Sequence, residues 1–322
     1  MTETIVVLDP IPPATADRLR PLVPPGMRLT HGSAREEAHL QEIIADAEYA
    51  ISGQIAVPGS VLRAGKRLKL LHKWGVGVDN LDLETARELG IMVARTTGSN
   101  AVPVAEFTIG LMVAAMRHLA DGHAGLMNRQ WRGGNFGRQS MQLSGKTVGI
   151  IGFGAIGQAL ARLLTGFGCT ILYNKRHPLD PAEEAALNAR HVPIAELLAH
   201  SDVVSLHTPL TPQTSGLIDR AALQSMKRTA VLINVARGGI VVESDLIWAL
   251  QNRIIHAAAM DVFETEPLPS DSPLIGVDGL ILTPHIASHA ADNFEKTVRH
   301  MFGNIERVAR GEPIPERDVV VA

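Results

Sequence analysis

A short glycine-rich turn constrains the fold of this chain more than any other feature of its sequence. The apolar run KTVGIIGF (146–153) is typical of a buried strand, and AIGQALARLLTGFG (155–168) has the spacing of a helix. Gly152, Gly154 and Gly157 follow the pattern G-x-G-x-x-G. Glycine at these positions lets the strand turn sharply, lets a phosphate approach the backbone, and lets helix and strand pack closely. The turn therefore predicts a dinucleotide-binding βαβ unit.

Five further strand-like runs follow the glycine turn, separated by helix-like and loop-like stretches. Together with residues 146–153 they give six strands in the order that a doubly wound nucleotide-binding domain requires. The five runs are TILYN (170–174), DVVSLHTP (202–209), AVLINVAR (230–237), IIHAAAMDV (254–262) and LILTPH (280–285).

The first hundred residues alternate in the same way and predict a second parallel sheet. Helix-like segments lie at 36–47 and 83–90, and Gly90 is a C-terminal cap for the second of them. The strand-like runs are TIVVLDP (4–10), YAISG (49–53), LKLLHKWG (68–75) and IMVART (91–96).

Residues 98–145 lie between these two series and are interpreted as a connector into the second domain. They contain an apolar helix, FTIGLMVAAM (107–116), which is too short to span a bilayer and is predicted to be buried. They also contain a loop rich in glycine and arginine, RQWRGGNFGRQ (129–139). At the other end of the chain, residues 291–311 are predicted to form an amphipathic helix.

The size and composition of the chain are those of a folded protein with two domains. At 322 residues the chain is too long for one ordinary hydrophobic core. Its composition, with 46% hydrophobic and 20% charged residues, is typical of globular proteins. A net charge of −3 gives no broad electrostatic reason to bind nucleic acid or an anionic membrane. The single cysteine, Cys169, excludes an internal disulfide, and MTETIVVLDPIPP lacks the pattern of a secretion signal. We therefore expect a cytoplasmic protein.

The second strand of the nucleotide-binding unit ends in a basic turn. Many dinucleotide-binding proteins place an acid there, which accepts hydrogen bonds from ribose hydroxyls and repels a 2′-phosphate. Here the position holds Asn174, followed by Lys175, Arg176 and His177. Lys175 and Arg176 can bind phosphate oxygens, and one such charge-assisted bond corresponds to a preference of roughly 10- to 100-fold. The turn predicts NADP(H) rather than NAD(H), with a solvated surface turn as the alternative.

Three ionisable residues stand where later strands of this domain end, which is the edge where open α/β sheets bind ligands. Arg237 closes AVLINVAR, Glu266 follows DVFET, and His285 ends LILTPH. Each alone is compatible with a structural role, as a surface arginine, a loop acid or a core histidine. Their joint placement around a dinucleotide crevice favours catalysis.

Hydride transfer from a nicotinamide to a carbonyl explains why these residue types would occur together. Negative charge grows on the carbonyl oxygen, and histidine, which titrates near neutrality, can supply a proton. A carboxylate orients an imidazole and favours its protonated form, and an arginine can grip a carboxylate and polarise a 2-oxo group. We therefore predict that His285 is the general acid, that Glu266 orients it, and that Arg237 binds and polarises a 2-oxo acid.

These motifs together resemble those of the D-isomer-specific 2-hydroxyacid dehydrogenase family over nearly the whole chain. LHKWGVGVDNLDL (71–83) resembles the substrate loop of the family, and TTGSNAVPVAEFTIGLM (96–112) resembles the start of its interdomain helix. The remaining motifs are LSGKTVGIIGFGAIGQALA (143–161), VVSLHTPLTPQTSGLI (203–218), LINVARGGIVVESDLIWAL (232–250), DVFETEPL (261–268) and LTPHIASHA (282–290).

The resemblance implies an α/β protein with two doubly wound parallel-sheet domains. A Rossmann cofactor domain, residues 99–286, would be inserted into a flavodoxin-like substrate domain made of residues 1–98 and 287–322. It further implies closure of the cleft between the domains and a homodimer formed through the cofactor domain. The implied activity is hydride transfer between NADP(H), with NAD(H) possible, and a small 2-oxo acid or D-2-hydroxy acid, without a metal.

Position by position, the resemblance also assigns binding residues. The backbone N–H groups of Val76 and Gly77 would bind the substrate carboxylate, and Asn100 would line the same cleft. Asp261 would bond the nicotinamide carboxamide. Beyond the glycine turn and the basic turn, the other cofactor-lining positions are Ala155, Ile156, His207, Thr208, Pro209, Thr214, Val235, Ala236 and His285.

Two groups of residues depart from the usual family pattern. His72, Lys73 and Trp74 precede the glycine loop, where they either end a buried strand or reach the substrate. Ser288 and His289 stand where many members have smaller residues, which affects the shape of the pocket near the nicotinamide.

The basic turn is similar to that of NADPH-dependent glyoxylate/hydroxypyruvate reductases, so reduction of such a 2-oxo acid is the leading hypothesis. One alternative is an NAD-linked relative acting on phosphoglycerate, for which Lys73 would supply an extra cation. Another is a dinucleotide-sensing, corepressor-like binding protein, since such proteins can keep the catalytic trio. A formate dehydrogenase is a weaker alternative, because that branch has a glutamine at the position of Glu266.

Overall fold

The computed structural model describes residues 2–131, 136–137 and 139–322. The chain divides into two compact units, one made of residues up to Asn100 with Ala290–Ala322, the other of Ala101–His289. The domain limits expected from the sequence, 98/99 and 286/287, stay a prediction. Part of the Gly/Arg-rich loop, residues 132–135 and 138, lies outside the described residues.

The first unit is built on a six-stranded sheet in the described part of the chain. Its order is β13-β5-β4-β3-β1-β2, and all neighbours are parallel except β13 with β5. Without the edge strand β13 this is the 2-1-3-4-5 order of a flavodoxin-like sheet. The strands are β1 (Glu3–Pro10), β2 (Met27–Gly32), β3 (Tyr49–Ser52), β4 (Leu70–Lys73), β5 (Met92–Arg95) and β13 (Val319–Val321).

Helices cover both faces of this sheet, so its central strands are apolar along their length. One core contains Leu71 and Val93, and the core on the other face contains Leu70, Ala94 and Phe302. Gly90 takes φ +66°, as predicted for a residue that ends a helix. The helices are α1 (Pro13–Leu19), α2 (Glu37–Ile44), α3 (Gly59–Ala64), α4 (Leu83–Glu88) and the amphipathic α12 (Phe294–Ala309).

The second unit holds a seven-stranded parallel sheet of order β12-β11-β10-β9-β6-β7-β8 within the described residues. Numbered from β6, its first six strands follow the Rossmann order 3-2-1-4-5-6, which confirms the predicted fold class. The strands are β6 (Thr147–Ile151), β7 (Thr170–Asn174), β8 (Ala189–His191), β9 (Val203–Leu206), β10 (Val231–Asn234), β11 (Ala257–Met260) and β12 (Leu280–Leu282).

The apolar connector helix extends beyond its predicted limits and forms α5 (Ala101–Arg117). Residues such as Val104, Leu111 and Met112 are buried in the core that also holds the inner face of the helix after β6. No single helix of the described chain is long and apolar enough to cross a bilayer, and α5 reaches that length only together with α6, from which it is bent by 68°. The other helices are α6 (Leu119–Met127), α7 (Ala155–Leu164), α8 (Pro181–Ala186), α9 (Ile194–His200), α10 (Arg220–Ser225) and α11 (Glu243–Gln251).

Candidate active site

The glycine turn joins β6 to α7 beside the loop that follows β9. Gly152 takes φ +94°, and a Cβ there would lie 2.4 Å from the backbone carbonyl carbon of His207. A Cβ on Gly157 would lie 2.5 Å from the carbonyl oxygen of Gly152. Both positions therefore require glycine, as the sequence motif predicts.

The middle glycine of the motif, Gly154, leaves space beside the backbone for a ligand. A Cβ on Gly154 would meet no described heavy atom within 4 Å, in contrast to the other two glycines. The N–H groups of Ala155 and Ile156 follow in the first turn of α7, where an α-helix leaves its amides without internal partners. A pyrophosphate would fit against these amides at the positive end of the helix dipole.

The basic turn is anchored by backbone and side-chain hydrogen bonds. Asn174 Nδ2 donates to the carbonyl oxygen of Val192 at 2.8 Å, and His191 Nε2 lies 2.9 Å from the carbonyl oxygen of Lys175. Neither Lys175 nor Arg176 forms an ion pair through its side chain within the described residues, and Arg176 is exposed. Two cations thus follow β7, while the residue at the position of the usual acid is a neutral amide.

A second layer of hydrogen bonds holds the loop that carries these cations. The hydroxyl of Tyr173 donates to Glu184 Oε1 and accepts from the Leu179 N–H, both at 2.7 Å. Glu184 Oε1 also accepts the His191 N–H at 3.1 Å. Burial and the bond to Glu184 raise the pKa of Tyr173 to about 12, so its hydroxyl stays protonated at neutral pH. The loop is therefore fixed at both ends.

The loops after β9 and β10 bring further predicted cofactor-lining residues to the same edge of the sheet. His207 Nε2 lies 2.9 Å from Ser205 Oγ, and its Nδ1 is buried with no hydrogen-bond partner among the described residues. Burial lowers the pKa of His207 to about 3, so the ring is neutral at pH 7. Thr214 Oγ1 donates to the carbonyl oxygen of Pro209 at 2.6 Å and closes the loop that begins at Thr208. Such buried polar atoms usually have a hydrogen-bond partner, and the predicted contact of His207 with a dinucleotide stays a prediction.

Arg237 follows β10, and its loop is packed against the loop that follows β11. Its Nη1 donates to the Ala236 carbonyl oxygen at 2.7 Å, and the Arg237 carbonyl oxygen accepts a hydrogen bond from Asn234 Nδ2 at 2.9 Å. A Cβ on Gly238 would fall 1.9 Å from the carbonyl carbon of Phe263. Since Phe263 N–H donates to Glu266 Oε1 at 3.0 Å, the chain segments of two predicted catalytic residues are in contact.

The third predicted catalytic residue is hydrogen-bonded to the second. His285 Nδ1 lies 2.6 Å from Glu266 Oε2, and both side chains are 31% exposed. Burial raises the pKa of the Glu266 carboxyl. The hydrogen bonds with His285 and the Phe263 N–H, together with electrostatic attraction to His285 and Arg237, lower it by more, so that the pKa of Glu266 lies below its usual 4.5. Glu266 is therefore ionised at neutral pH beside the imidazole. The influence of Arg237 on this carboxyl places all three side chains in one electrostatic cluster.

Asp261 shapes the loop that presents His285, a role that sequence reasoning did not assign. Its fully buried carboxylate accepts hydrogen bonds from Thr283 Oγ1 at 2.6 Å, the Ile286 N–H at 2.9 Å and the Ala287 N–H at 2.8 Å. Its carbonyl oxygen accepts the His285 N–H at 2.8 Å. His285 adopts φ +53°, a left-handed conformation uncommon for histidine and sustained here by these bonds. The predicted contact of Asp261 with a nicotinamide carboxamide stays a prediction.

The predicted substrate loop lies in the first unit, after β4. Thr96 fixes the start of this loop through three hydrogen bonds of 3.0–3.1 Å with Gly75. The N–H and the hydroxyl of Thr96 both donate to the Gly75 carbonyl oxygen, and the same hydroxyl oxygen accepts the Gly75 N–H. The N–H groups of Val76 and Gly77 donate to no acceptor among the described residues. Asn100 Oδ1 is buried and has no hydrogen-bond partner in that part of the chain. The loop thus presents two fixed donors, as an anion-binding loop requires.

The three residues before this loop have structural partners. His72 is fully buried, with Nδ1 2.9 Å from the Lys73 carbonyl oxygen and Nε2 3.1 Å from Asn304 Nδ2. Trp74 packs against Phe294 with ring centroids 5.9 Å apart. The Lys73 ammonium donates to the Gly53 carbonyl oxygen and, at 2.7 Å, to Asn80 Oδ1. For His72 and Trp74 these contacts favour the interpretation that they end a buried strand.

Asp9 is a further residue that the sequence did not single out. Its carboxylate accepts the N–H groups of Gly53, Gln54 and Ile55 at 2.5–3.0 Å and so fixes the loop after β3. Asn80 donates to the Ile55 carbonyl oxygen and links that loop to the substrate loop. In the sequence, the only sign of this role as a loop acceptor is the position of Asp9 near the end of an apolar strand.

Comparison with known proteins agrees with this geometry. Residues 109–287 match the family described as D-isomer specific 2-hydroxyacid dehydrogenase, NAD binding domain. The chain is 36% identical over 262 residues to a hydroxypyruvate reductase of Thermotoga maritima, covering 80% of this chain and 83% of that protein.

Two further similarities extend over nearly all of the chain. It is 36% identical over 311 residues to a D-3-phosphoglycerate dehydrogenase of Methanocaldococcus jannaschii, which is 96% of this chain but only 58% of that longer protein. The crystal structure of a protein from Thermus thermophilus superposes with a TM-score of 0.86 at 34% identity, covering 99% of this chain and all of that one.

Proposed function

Because the chain belongs to the D-isomer specific 2-hydroxyacid dehydrogenase family, we propose that it transfers hydride between NADP(H) and a small 2-oxo acid such as glyoxylate or hydroxypyruvate. The observation that carries this proposal is the His285–Glu266 pair at 2.6 Å, within the electrostatic reach of Arg237. All three residues follow strands of the sheet whose first strand ends in the glycine turn.

In this proposal a bound nicotinamide supplies the hydride, and the protein manages the charge that develops on the substrate. Glu266 accepts the Nδ1–H of His285, which leaves Nε2 to give a proton to the carbonyl oxygen. Arg237 polarises the 2-oxo group, and the N–H groups of Val76 and Gly77 donate to the substrate carboxylate. In the oxidative direction, His285 Nε2 takes the proton back.

The preference for NADP(H) over NAD(H) rests on the basic turn. Asn174 carries no charge to repel a 2′-phosphate, and its amide is engaged with Val192. Lys175 and Arg176 follow on a loop fixed by Tyr173 and His191, so they can bind phosphate oxygens at small entropic cost.

A homodimer through the second unit is also part of this proposal. Large apolar side chains are exposed on and just after α6, with Met127 68% and Trp131 88% exposed, and Leu119 and Leu126 each more than half exposed. A patch of this kind is typical of a protein interface, and a second copy of the chain is the partner we propose.

The test is oxidation of NADPH and of NADH, in parallel, against a panel of 2-oxo acids that includes glyoxylate and hydroxypyruvate. We expect reduction of at least one panel member, with a larger kcat/KM for NADPH. Failure to reduce any 2-oxo acid despite tight cofactor binding would instead favour a dinucleotide-sensing protein. Equal or faster rates with NADH would contradict the role of the basic turn.

A further inference from the structure

Glu243, the first residue of α11, connects two loops of the proposed active site. Its Oε1 atom accepts the Glu264 N–H at 2.8 Å, and its own N–H donates to Glu264 Oε1 at 3.5 Å. Glu243 stands at the end of the segment that begins with Arg237 after β10, and Glu264 belongs to the loop after β11 that carries Glu266. The two bonds therefore tie together the loops of two predicted catalytic residues.

The same two loops are in contact at a second point, Gly238. A Cβ on Gly238 would lie 1.9 Å from the carbonyl carbon of Phe263 and 2.3 Å from the nitrogen of Glu264. Gly238 thus packs against the peptide bond between Phe263 and Glu264, and Glu243 binds the N–H of that same peptide bond. Since a peptide unit is planar, one packing contact and one hydrogen bond fix both its position and its orientation.

This peptide unit adjoins the hydrogen bond that holds Glu266. The Phe263 N–H donates to Glu266 Oε1 at 3.0 Å, and Glu266 Oε2 lies 2.6 Å from His285 Nδ1. A continuous series of contacts therefore leads from Glu243 to the imidazole. Rotation of the 263–264 backbone would move the Phe263 N–H and, with it, the carboxylate that orients the ring. Reaction rates are sensitive to such shifts, since a misplacement of about 1 Å can cost about 10²-fold.

The charges of Glu243 and Glu264 repel each other. Burial raises the pKa of the Glu243 carboxyl and repulsion by Glu264 adds to this shift, while the hydrogen bond from the Glu264 N–H opposes it. Neither acid forms an ion pair within the described part of the chain. By contrast, Glu196 in the first turn of α9 pairs with Arg190. Both helices favour an acid at this end, so what distinguishes Glu243 is the loop amide that it binds.

We propose that Glu243 is a positioning residue for the proton donor His285. It orients the peptide bond between Phe263 and Glu264, and this peptide in turn sets the direction of the Glu266 carboxylate. This role rests on the proposed function and adds to it a residue that touches neither substrate nor cofactor. Glu243 should therefore affect the rate of the chemical step and leave the binding of both molecules unchanged.

Removal of the carboxylate tests this role. Glu243→Ala should lower kcat for 2-oxo acid reduction by about 10- to 100-fold, with KM for the 2-oxo acid and for NADPH unchanged. Glu243→Gln should keep most of the activity, because its amide oxygen can still accept the Glu264 N–H. Glu196→Ala is the control, since it removes an acid from the first turn of another helix in the same unit. Glu243→Ser, whose side chain is shorter, takes the place of the alanine variant if that variant does not fold.

A double-mutant cycle with His285→Ala separates positioning from a general effect on stability. If Glu243 acts through His285, Glu243→Ala should have little further effect on kcat once the imidazole is absent, because residues that act as a unit are not additive. A residue that only stabilises the fold would lower kcat by the same factor in both backgrounds. Equal factors would therefore overturn the proposal, as would wild-type kcat in Glu243→Ala or an equal loss in Glu243→Gln.

Failure of the proposed function gives a different result, namely a wild-type protein that reduces no 2-oxo acid. The NMR signals of the His285 imidazole nitrogens then test Glu243 without turnover. Glu243→Ala should shift these signals, and Glu196→Ala should leave them in place. Identical signals for the wild type and Glu243→Ala would overturn the positioning role.

Discussion

His285 Nδ1 lies 2.6 Å from Oε2 of Glu266, on a histidine whose backbone is held in a left-handed conformation by Asp261. The carboxylate fixes which ring nitrogen carries the internal hydrogen bond and leaves Nε2 as the atom that can exchange a proton with a ligand. This relationship underlies the first two predictions.

His285→Ala should lower kcat for 2-oxo acid reduction by about 10²- to 10⁴-fold, which is the usual contribution of general acid catalysis. Cofactor affinity should not change, because the glycine turn and the basic turn are untouched. Steady-state kinetics and fluorescence titration with NADPH measure the two quantities. His200→Ala, at the exposed end of α9, is the control. Unchanged turnover in the His285 variant would exclude it as the acid.

Glu266→Gln should keep the shape of the side chain but lose its charge, so His285 Nδ1 loses a charge-assisted hydrogen bond and the ring is oriented less firmly. We expect a fall in kcat that is smaller than in His285→Ala, with KM for NADPH unchanged. Steady-state kinetics of the two variants measure this difference. A kcat equal to that of the wild type would show that Glu266 has no influence on the proton donor.

Arg176→Met tests the basic turn. The variant should raise KM for NADPH by roughly 10- to 100-fold while KM for NADH stays the same, since only NADPH carries the 2′-phosphate. Lys175→Met should have the same direction and a smaller effect, because an ammonium lacks the fork of the guanidinium. A parallel rise in both KM values would indicate a general disturbance of the site.

Asn174→Asp should not by itself produce an enzyme that prefers NADH. Asn174 donates to the Val192 carbonyl oxygen, and an aspartate would place a carboxylate against that oxygen. We therefore expect the free energy of unfolding to fall by about 1–3 kcal/mol, because the buried Val192 carbonyl oxygen loses its donor. We also expect weaker NADPH binding. Differential scanning calorimetry and the two KM values are the measurements. A stable variant with improved KM for NADH would contradict this interpretation of the hydrogen bond.

His72 makes the stability of the protein depend on pH. Burial lowers the pKa of its imidazole to about 4, although the bond to the Lys73 carbonyl oxygen opposes this shift. The unfolded chain takes up a proton near pH 6.5, and the folded chain does so only near pH 4, so folding stability falls as pH drops through this window. At about 1.4 kcal/mol per pH unit, the free energy of unfolding should fall by roughly 3 kcal/mol.

Urea unfolding between pH 7 and pH 4 measures this effect. His72→Gln removes one titrating group and should make the dependence in that window less steep, while the buried His207 still contributes in the same direction. His31→Gln, at an exposed position of β2, should leave the slope as it is in the wild type. Parallel curves for the wild type and His72→Gln would show that the pH dependence has another origin.

The glycine turn and most of the strand series could be predicted from the sequence, whereas the catalytic roles of Arg237, Glu266 and His285 stay predictions. Gly152 and Gly157 are required by contacts between backbone atoms, and such contacts allow only one residue type, so the motif is visible without coordinates. The parallel strands were visible because strands buried on both faces are continuously apolar. The strands β2, β8 and β13 were not, because all three lie at sheet edges. In addition, β2 and β8 carry polar residues, and β8 and β13 have only three residues each.

Tertiary structure alone decided which side chains are partners. Asp261 and Asp9 lie far along the chain from some of the amides that they bind, and no local pattern marks such a pairing. The same holds for Asn100 Oδ1 and His207 Nδ1, buried atoms whose lack of a hydrogen-bond partner among the described residues depends on everything packed around them. The sequence determines residue types and their spacing along strands and helices, because these follow from local geometry. Which charges are compensated depends on residues brought together from distant parts of the chain, and only the folded chain specifies that.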